Sequence, residues 1–320
     1  MKTARAKNRK SGVRVIVTGG AGFIGSHVAL ALLRAGHKVL IIDDLSHGME
    51  RNIPHGAIFE RRGITRHDLT GIFRKWKPFA VCHHAAQISV RQSVADPTYD
   101  LNVNILGSVK LLELARYHGI EYFLFASTGG ALYGDQLHFP ATEDHPTYPV
   151  SPYGISKLAG EKYLYFYRKQ YSLKGVSLRY SNVYGPRQDP LGEAGVVAIF
   201  CRKLLDGRAP TINGDGKQTR DYVYVEDVAR ANVLAMRVLA QGEINICTGI
   251  ETDVNRLAQK IARIAGSKAK FRHGPPMPGE QRRSVLSPRL ASSALGWKPL
   301  VSLDEGLRKT WEYFNPENPG

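Results

Sequence analysis

The sequence predicts an α/β protein: a doubly wound parallel sheet covered by helices, with a smaller C-terminal α/β unit attached. Three observations carry that expectation. The apolar run 13–18 ends in glycines, the stretch that follows has helical apolar spacing and stops at Gly36, and HKVLIIDD reads as a second strand. Strand, helix and strand within about 30 residues form a βαβ unit, and repeating that unit builds a parallel sheet. After Asn182 the texture changes to turn-rich segments between shorter elements, which marks the second unit.

Taken in order, further strands are expected at 57–60, 79–83, 122–126 and 175–179, with helices at 69–76, 104–118 and 153–171. Beyond Asn182, NVYGPRQDPLGEAG is rich in turn residues and VVAIFCRKLLDG is amphipathic at helical spacing. PTINGDGKQTRDYVYV reads as strand, turn and strand. VEDVARANVLAMRVL is again helical, and EINICTG reads as a strand returning to the main sheet. A helix at 254–264, a Pro/Gly-rich loop at 274–279 and a last helix near 303–313 complete the chain. No internal repeat is evident.

Composition narrows the function class. With 320 residues and 43% hydrophobic content the chain can fill a real core. No run reaches 18 apolar residues and no apolar segment backs the basic N-terminus, so neither a membrane span nor a secretory leader is expected. The 3 cysteines, Cys82, Cys201 and Cys247, are far apart, which supports neither a disulfide framework nor a thiolate metal site; a reducing cytoplasm fits. The formal charge of +16, from 44 Lys and Arg against 28 Asp and Glu, points to anionic ligands. Zinc-finger spacing, an aromatic RNA-binding signature and a long basic helix are all missing, so a cleft for phosphorylated small molecules is expected rather than a specific nucleic-acid surface.

Gly19, Gly22 and Gly25 stand at the turn from first strand to first helix, as G-x-x-G-x-x-G. A tight turn, close approach of a pyrophosphate and helix-on-strand packing each need a residue without a Cβ there. The helix start at Phe23 and Ile24 adds free N–H groups and the positive end of a dipole. Dinucleotide binding follows, on a Rossmann-like fold. Asp43, with Asp44 beside it, closes the second strand within reach of the adenosine ribose, and a carboxylate there favours NAD over NADP. Asp68 and Leu69 follow the third strand; Asp68 suits either an adenine contact or a helix N-cap. The expected division is a basic tail at 1–12, an NAD-binding unit at 13–181 to which segments such as 223–248 return, and a mainly substrate-binding unit at 182–320.

SPYGISK places Tyr153 four residues before Lys157. On a helix both face one ligand, and an ammonium beside a phenol favours the phenolate, as a general base at a carbinol carbon requires. His83 and His84 are adjacent on a strand end, so they point to opposite faces, and no third ligand is spaced to join them; no metal is expected.

Together, GGAGFIG, HHAAQISVRQSV, FASTGGALYG, the YGISK pair, RYSNVYGPRQDP and RDYVYVEDVA resemble the extended short-chain dehydrogenase/reductase family, in particular its nucleotide-sugar epimerases of the UDP-glucose 4-epimerase type. The similarity runs from about Val13 to Trp311. The resemblance implies a redox cycle at sugar C4: NAD⁺ takes hydride while Tyr153 takes the hydroxyl proton, the 4-ketose turns over in the cleft, and hydride returns to its other face. It implies that Lys157 bridges the nicotinamide ribose and depresses the Tyr153 pKa. Thr128 matches the family's Ser/Thr hydroxyl, Ser127 being the fallback and a loop-capping hydroxyl the bland reading. Ala85, Ala86 and Gln87 resemble the cofactor-lining loop, and Asn104 matches a family position while also suiting an N-cap. Tyr180 belongs to the cofactor set.

For the substrate, Asn182 and Arg220 match diphosphate contacts, Glu280 a uridine-ribose contact, and Val197 with its neighbouring backbone a uracil contact. The chain departs from the family at three positions. Met277 replaces an arginine whose contact is then lost or supplied by Arg282 or Arg283. Asn213 replaces a base-stacking aromatic residue. Ser284 falls near the position controlling room at the sugar's C2, where a small side chain admits an N-acetyl group. Gly129 and Gly130 follow Thr128, where relatives that eliminate water or decarboxylate carry acids, so simple epimerisation is the economical reading. The resemblance further implies a homodimer through helices 104–118 and 153–171, with Leu158, Tyr163, Tyr167 and Tyr171 as candidates. UDP-glucuronate or another nucleotide sugar remains an alternative substrate, and a non-catalytic NAD-binding regulator is the rival of another class.

Overall fold

The computed structural model of the protein describes residues 12–190, 195–277 and 281–315. Its centre is a seven-stranded sheet built from β1 (Arg14–Thr18), β2 (Lys38–Asp43), β3 (Ile58–Arg61), β4 (Ala80–His83), β5 (Tyr122–Thr128), β6 (Lys174–Tyr180) and, after the next three strands, β10 (Gly242–Ile246). The order is β3-β2-β1-β4-β5-β6-β10 and every pairing is parallel. The order reverses between β1 and β4, which is where such sheets open a crevice beyond their C-terminal ends.

Alternation along each strand sends side chains to opposite faces, and both faces are covered. Val15 and Val17 of β1 join a core under helices Phe23–Arg34 and Val225–Val238, together with Leu32, Val228 and Trp297. Ile16, between them, joins the other core with Phe73, Leu111, Phe123 and Leu164 under helices Thr70–Trp76, Gly107–Tyr117 and Pro152–Tyr171. Helix Arg289–Leu295, which the sequence reading did not anticipate, also packs on β10 and on helix Val225–Val238.

The smaller unit has its own core, in which Phe200, Leu257, Ile261 and Trp311 meet. Helices Val196–Leu205, Val254–Ile264 and Leu303–Phe314 enclose it. Its strands are β7 (Asn182–Tyr184), β8 (Thr211–Asn213), β9 (Thr219–Tyr224), β11 (Glu251–Asp253) and β12 (Arg272–Gly274). The expected strand, turn and strand at 210–225 exists, but its arms lie in different sheets: β8 pairs with β12, and β9 lies between β7 and β11. Local pattern locates strands and leaves their partners undetermined.

Two short helices, Val90–Ala95 and Pro97–Leu101, also went unanticipated, although each starts on a side-chain cap, Ser89 and Asp96. The helix expected at 104–118 is entered through one turn of wider i→i+5 helix, Asn102–Leu106. Such a turn adds a residue and re-aims side chains.

Candidate active site

The glycine loop is shaped by contacts that leave no room for side chains. Gly19 adopts a φ of +69°, and a Cβ there would lie 2.5 Å from the Ala85 nitrogen; one on Gly25 would lie 2.1 Å from the Gly19 carbonyl oxygen. Gly22 differs, since its Cβ would meet only the Gly19 oxygen, at 3.2 Å, and would otherwise project into open space. Helix Phe23–Arg34 starts on Gly22 with no side-chain cap and no acidic residue in its first turn. An open glycine under an uncapped helix start fits a pyrophosphate, so the loop fits a dinucleotide.

Asp43 is buried at the end of β2, where its carboxylate accepts the N–H of Ala21 at 3.0 Å and of Leu45 at 2.8 Å. Burial raises its pKa and those two bonds oppose the rise. Asn52, which sequence reasoning missed, holds the same loop from its other side by donating to the Ala21 carbonyl at 3.1 Å. Asp44 is exposed and turns back on Ser46. Asp68 is exposed as well and accepts the Thr70 N–H at 2.9 Å, starting the helix, while Leu69 is buried in the core.

The segment from Ala85 to Gln87 crosses the C-terminal end of β4 and is held by buried amides. Asn104 accepts the Gln87 N–H and donates to the Gln87 carbonyl, both at 2.9 Å, and donates to Asp100 at 2.9 Å. Asn104 is therefore not an N-cap; it is inside a continuous helix and staples this loop. Asp100, fully buried and absent from the sequence reading, also accepts from Gln87 and from Ser156 on the Tyr153 helix. His83 and His84 do point apart. The ring nitrogens of His83 meet Thr18 at 2.8 Å and Ser108 at 3.0 Å. His84 stacks on Tyr180, whose hydroxyl accepts from Asn232 at 2.9 Å. Among the described residues no cluster could hold a metal ion.

Helix Pro152–Tyr171 begins where Ser151 accepts the Gly154 N–H at 3.1 Å and Pro152 takes the first helical position. Lys157 is one turn above Tyr153, its Nζ 5.8 Å from the phenol ring and donating to the Ala126 carbonyl at 3.1 Å. Burial pulls the Lys157 pKa down to about 8, with Asp100 opposing. The Tyr153 pKa, expected to be depressed by Lys157, is instead raised, first by burial and then by Asp100. The lysine is itself desolvated and turned to a backbone carbonyl, so the neighbouring charge does not outweigh burial.

Thr128 and Ser127 are separated by strand alternation. Ser127 donates to Glu161 at 2.6 Å in a buried cluster where Arg179 grips the same carboxylate at 2.7 Å and 2.9 Å. The fallback hydroxyl is thus spent away from the cleft. Thr128 ends β5 in extended backbone and its side chain caps nothing. A Cβ on Gly130 would be 3.8 Å from the Thr128 hydroxyl and 3.7 Å from the Asn182 amide oxygen, so these two groups border one open space. A Cβ on Gly129 would come within 2.2 Å of a terminal methyl of the buried Leu286, so a side chain there requires Leu286 to shift.

In the smaller unit, Asn213 lines a cavity of about 520 Å³ with Gly214, Gln218, Met277 and Arg282. Arg220, on β9, donates to the Thr219 carbonyl at 2.7 Å. Val197 is wholly within the core of the smaller unit, so any base contact at that helix start falls to backbone. Ser284 is only 3% exposed. Glu280 lies outside the described residues. Arg282 pairs with Asp215 at 2.7 Å and Arg283 with Glu251 at 2.6 Å, so both proposed substitutes for an arginine at 277 are engaged with carboxylates. Asp221, also missed, is buried and fixes the loop after β10 by accepting the N–H groups of Thr248 and Gly249 at 2.9 Å and 2.8 Å.

Residues 15–247 match the model of the NAD dependent epimerase/dehydratase family. The UDP-glucose 4-epimerase of Mycolicibacterium smegmatis is 46% identical over 309 residues, covering 94% of this chain and 98% of that protein. The crystal structure of UDP-glucose 4-epimerase with UDP-glucose from Thermotoga maritima superposes with a TM-score of 0.92 at 46% identity, covering 95% of this chain and 99% of that one. The Thermus thermophilus UDP-glucose 4-epimerase complex with NAD gives 0.88 at 45%, covering 94% and 99%. A dinucleotide cradle, a Tyr/Lys pair one helical turn apart and these likenesses agree: the chain is an enzyme of the NAD dependent epimerase/dehydratase family, acting on nucleotide sugars.

Proposed function

We propose that the protein interconverts UDP-glucose and UDP-galactose by transient oxidation at C4 of the sugar. One observation carries this choice within the family: the Thr128 hydroxyl and Asn182 border an open space at Gly130, and neither Gly129 nor Gly130 brings an acid to it. The site offers a hydroxyl and a phenol to one carbinol and places no carboxylate just after Thr128 to remove a C5 proton. Bound NAD supplies the acceptor and donor of hydride. Tyr153 takes the C4 hydroxyl proton and returns it, and Thr128 hydrogen-bonds the same oxygen. Lys157, one helical turn above Tyr153, is the ammonium placed to favour its phenolate against the burial that raises its pKa. The resulting alternation has no net redox change. The relatives of known structure, with UDP-glucose in one and NAD in another, support the reading.

The test is to incubate the purified protein with UDP-galactose and catalytic NAD⁺ and follow products by proton NMR. UDP-glucose without net NADH is expected; no conversion by protein containing NAD would exclude the neutral hexose and favour a uronic acid or non-uridine sugar. UDP-N-acetylglucosamine is expected to turn over too, and a kcat/KM more than about a thousandfold below that of UDP-glucose would remove it from the substrate range. We also place the protein in a reducing compartment as a homodimer. Cys82, Cys201 and Cys247 are all unpaired and buried, and apolar side chains stand exposed along the helix that carries Tyr153.

A further inference from the structure

We propose that Asp100 is a positioning residue of the catalytic pair: its buried carboxylate fixes the loop bordering the cofactor to the helix that carries Tyr153 and Lys157, so that hydride and proton leave the sugar in one geometry; this rests on transient oxidation of a nucleotide sugar, whichever sugar is bound. Asp100 is fully buried in helix Pro97–Leu101, which packs on the Tyr153 helix. One of its carboxylate oxygens accepts from the Gln87 side-chain amide at 3.0 Å and from the Asn104 side-chain amide at 2.9 Å. The other accepts the Ser156 hydroxyl. Ser156 stands between Tyr153 and Lys157 in the opening turns of their helix.

These contacts run without a gap from the cofactor cradle to the reacting groups. Ala85 abuts the glycine turn so closely that a Cβ on Gly19 would lie 2.5 Å from its nitrogen. Two residues on, Gln87 is held at its backbone by Asn104 and at its side chain by Asp100. Asp100 then reaches the catalytic helix through Ser156. Any slip of that helix against the loop would leave a buried carboxylate short of a donor, which is costly. Gln87, Asn104 and Ser156 are all buried and neutral. A carboxylate accepts from all three, whereas an amide in its place would turn N–H groups towards a donor. Neutral groups could tie two helices together at less cost than a buried charge, and here the charge is felt at the reacting groups. Burial lowers the Lys157 pKa and Asp100 opposes it; burial raises the Tyr153 pKa and Asp100 adds to it.

NAD-loaded protein is assayed with UDP-galactose carrying hydrogen or deuterium at C4. Ser156→Ala cuts the tie to the helix and leaves the Asp100 charge in place with its other two donors. Its kcat is expected to fall about 10-fold with KM within about threefold, and the isotope effect on kcat to rise as misaligned hydride transfer becomes rate-limiting. Asp100→Asn is expected to lose about 100-fold in the same pattern. If Asp100→Asn does not fold, Ser156→Ala decides alone. A loss that only tracks missing NAD or missing folded protein, with the wild-type isotope effect, would reduce Asp100 to a fold contact and overturn the proposal. Wild-type kcat in Ser156→Ala would overturn it too. Hydrogen exchange on the NAD-loaded protein needs no substrate: in Ser156→Ala, residues 85–89 and the opening turns of the Tyr153 helix should lose protection together, and unchanged exchange at 85–89 would show that the two are not coupled. Wild-type protein that leaves UDP-galactose unconverted would therefore sink the substrate reading, while exchange still decides for or against Asp100.

Discussion

Ser127 and Thr128 are chemically alike and one position apart, yet their surroundings assign them different work. Ser127→Ala removes one donor from a carboxylate that Arg179 still holds twice, so a cost of about 1 kcal/mol in stability and a kcat within a few-fold of wild type are expected. Thr128→Val removes a hydroxyl that makes no cap bond to its own helix and has no hydrogen-bond partner among the described residues, and it is expected to lower kcat by about 10²-fold at unchanged stability. Steady-state kinetics beside urea unfolding distinguishes the two, and a Ser127→Ala enzyme as impaired as Thr128→Val would refute the assignment. Tyr153→Phe should lower kcat by about 10²- to 10⁴-fold while retaining NAD. Lys157 gives a pH signature. Its folded pKa of about 8 lies below its ordinary 10.5, so unfolding takes up a proton between those values and its burial penalty fades as pH rises through that window. Lys157→Met should therefore be more stable than wild type at pH 7.5, with the gap closing towards pH 9.5; a gap independent of pH would mean the lysine is not desolvated.

At the scale of elements, the helix Pro152–Tyr171 carries Tyr153, Lys157 and Glu161 on one face at successive turns. Glu161 ties that helix to β5 through Ser127 and to β6 through Arg179, which also donates to Tyr133 at 2.9 Å. Glu161→Ala would leave the Arg179 guanidinium buried without its carboxylate, and a loss of about 3–5 kcal/mol in urea unfolding is expected. A loss under about 1 kcal/mol would mean that water or Tyr133 replaces the carboxylate. This anchoring could not be read from the sequence, and the reason is general. Glycine spacing and the Tyr153–Lys157 interval are local, so the chemistry they imply is visible in a few consecutive residues. Asp100 and Ser156, which join the loop at Gln87 to the catalytic helix, are 56 positions apart, and nothing near either announces the pairing. The same holds for Asp221 and the loop at Thr248. Serine and aspartate caps at Ser89 and Asp96 were legible signals for the short helices between β4 and Gly107 and would have located them. Partners of the short strands were not legible, because β8 and β12 are too brief for pattern to fix their pairing.

For the whole molecule, the helices flanking the catalytic pair have a second face that the monomer leaves uncovered. Ile155, Tyr163 and Phe166 are exposed at positions that fall along one side of helix Pro152–Tyr171, and Leu101 and Leu106 are exposed beside it at the wide turn entering helix Gly107–Tyr117. Tyr167, one of the residues expected at an interface, is instead buried and donates to Glu113. A contiguous apolar strip of this kind, on a chain whose net charge of +16 otherwise keeps copies apart, favours an interface between two copies through paired helices. The Tyr153 helix would then be packed on the large sheet on one side and on its symmetry mate on the other. Light scattering should give twice the chain mass of 35.4 kDa for the wild type, and Ile155→Glu with Phe166→Glu should halve it, since two carboxylates per copy would meet their own equivalents across a twofold axis. Glu161 and Lys157 face the sheet, so the variant is expected to keep its fold, with lower thermal stability because the strip is returned to water. A wild type of 35.4 kDa at micromolar concentration, or a doubly substituted protein that keeps the wild-type mass, would show that the strip is not where copies meet.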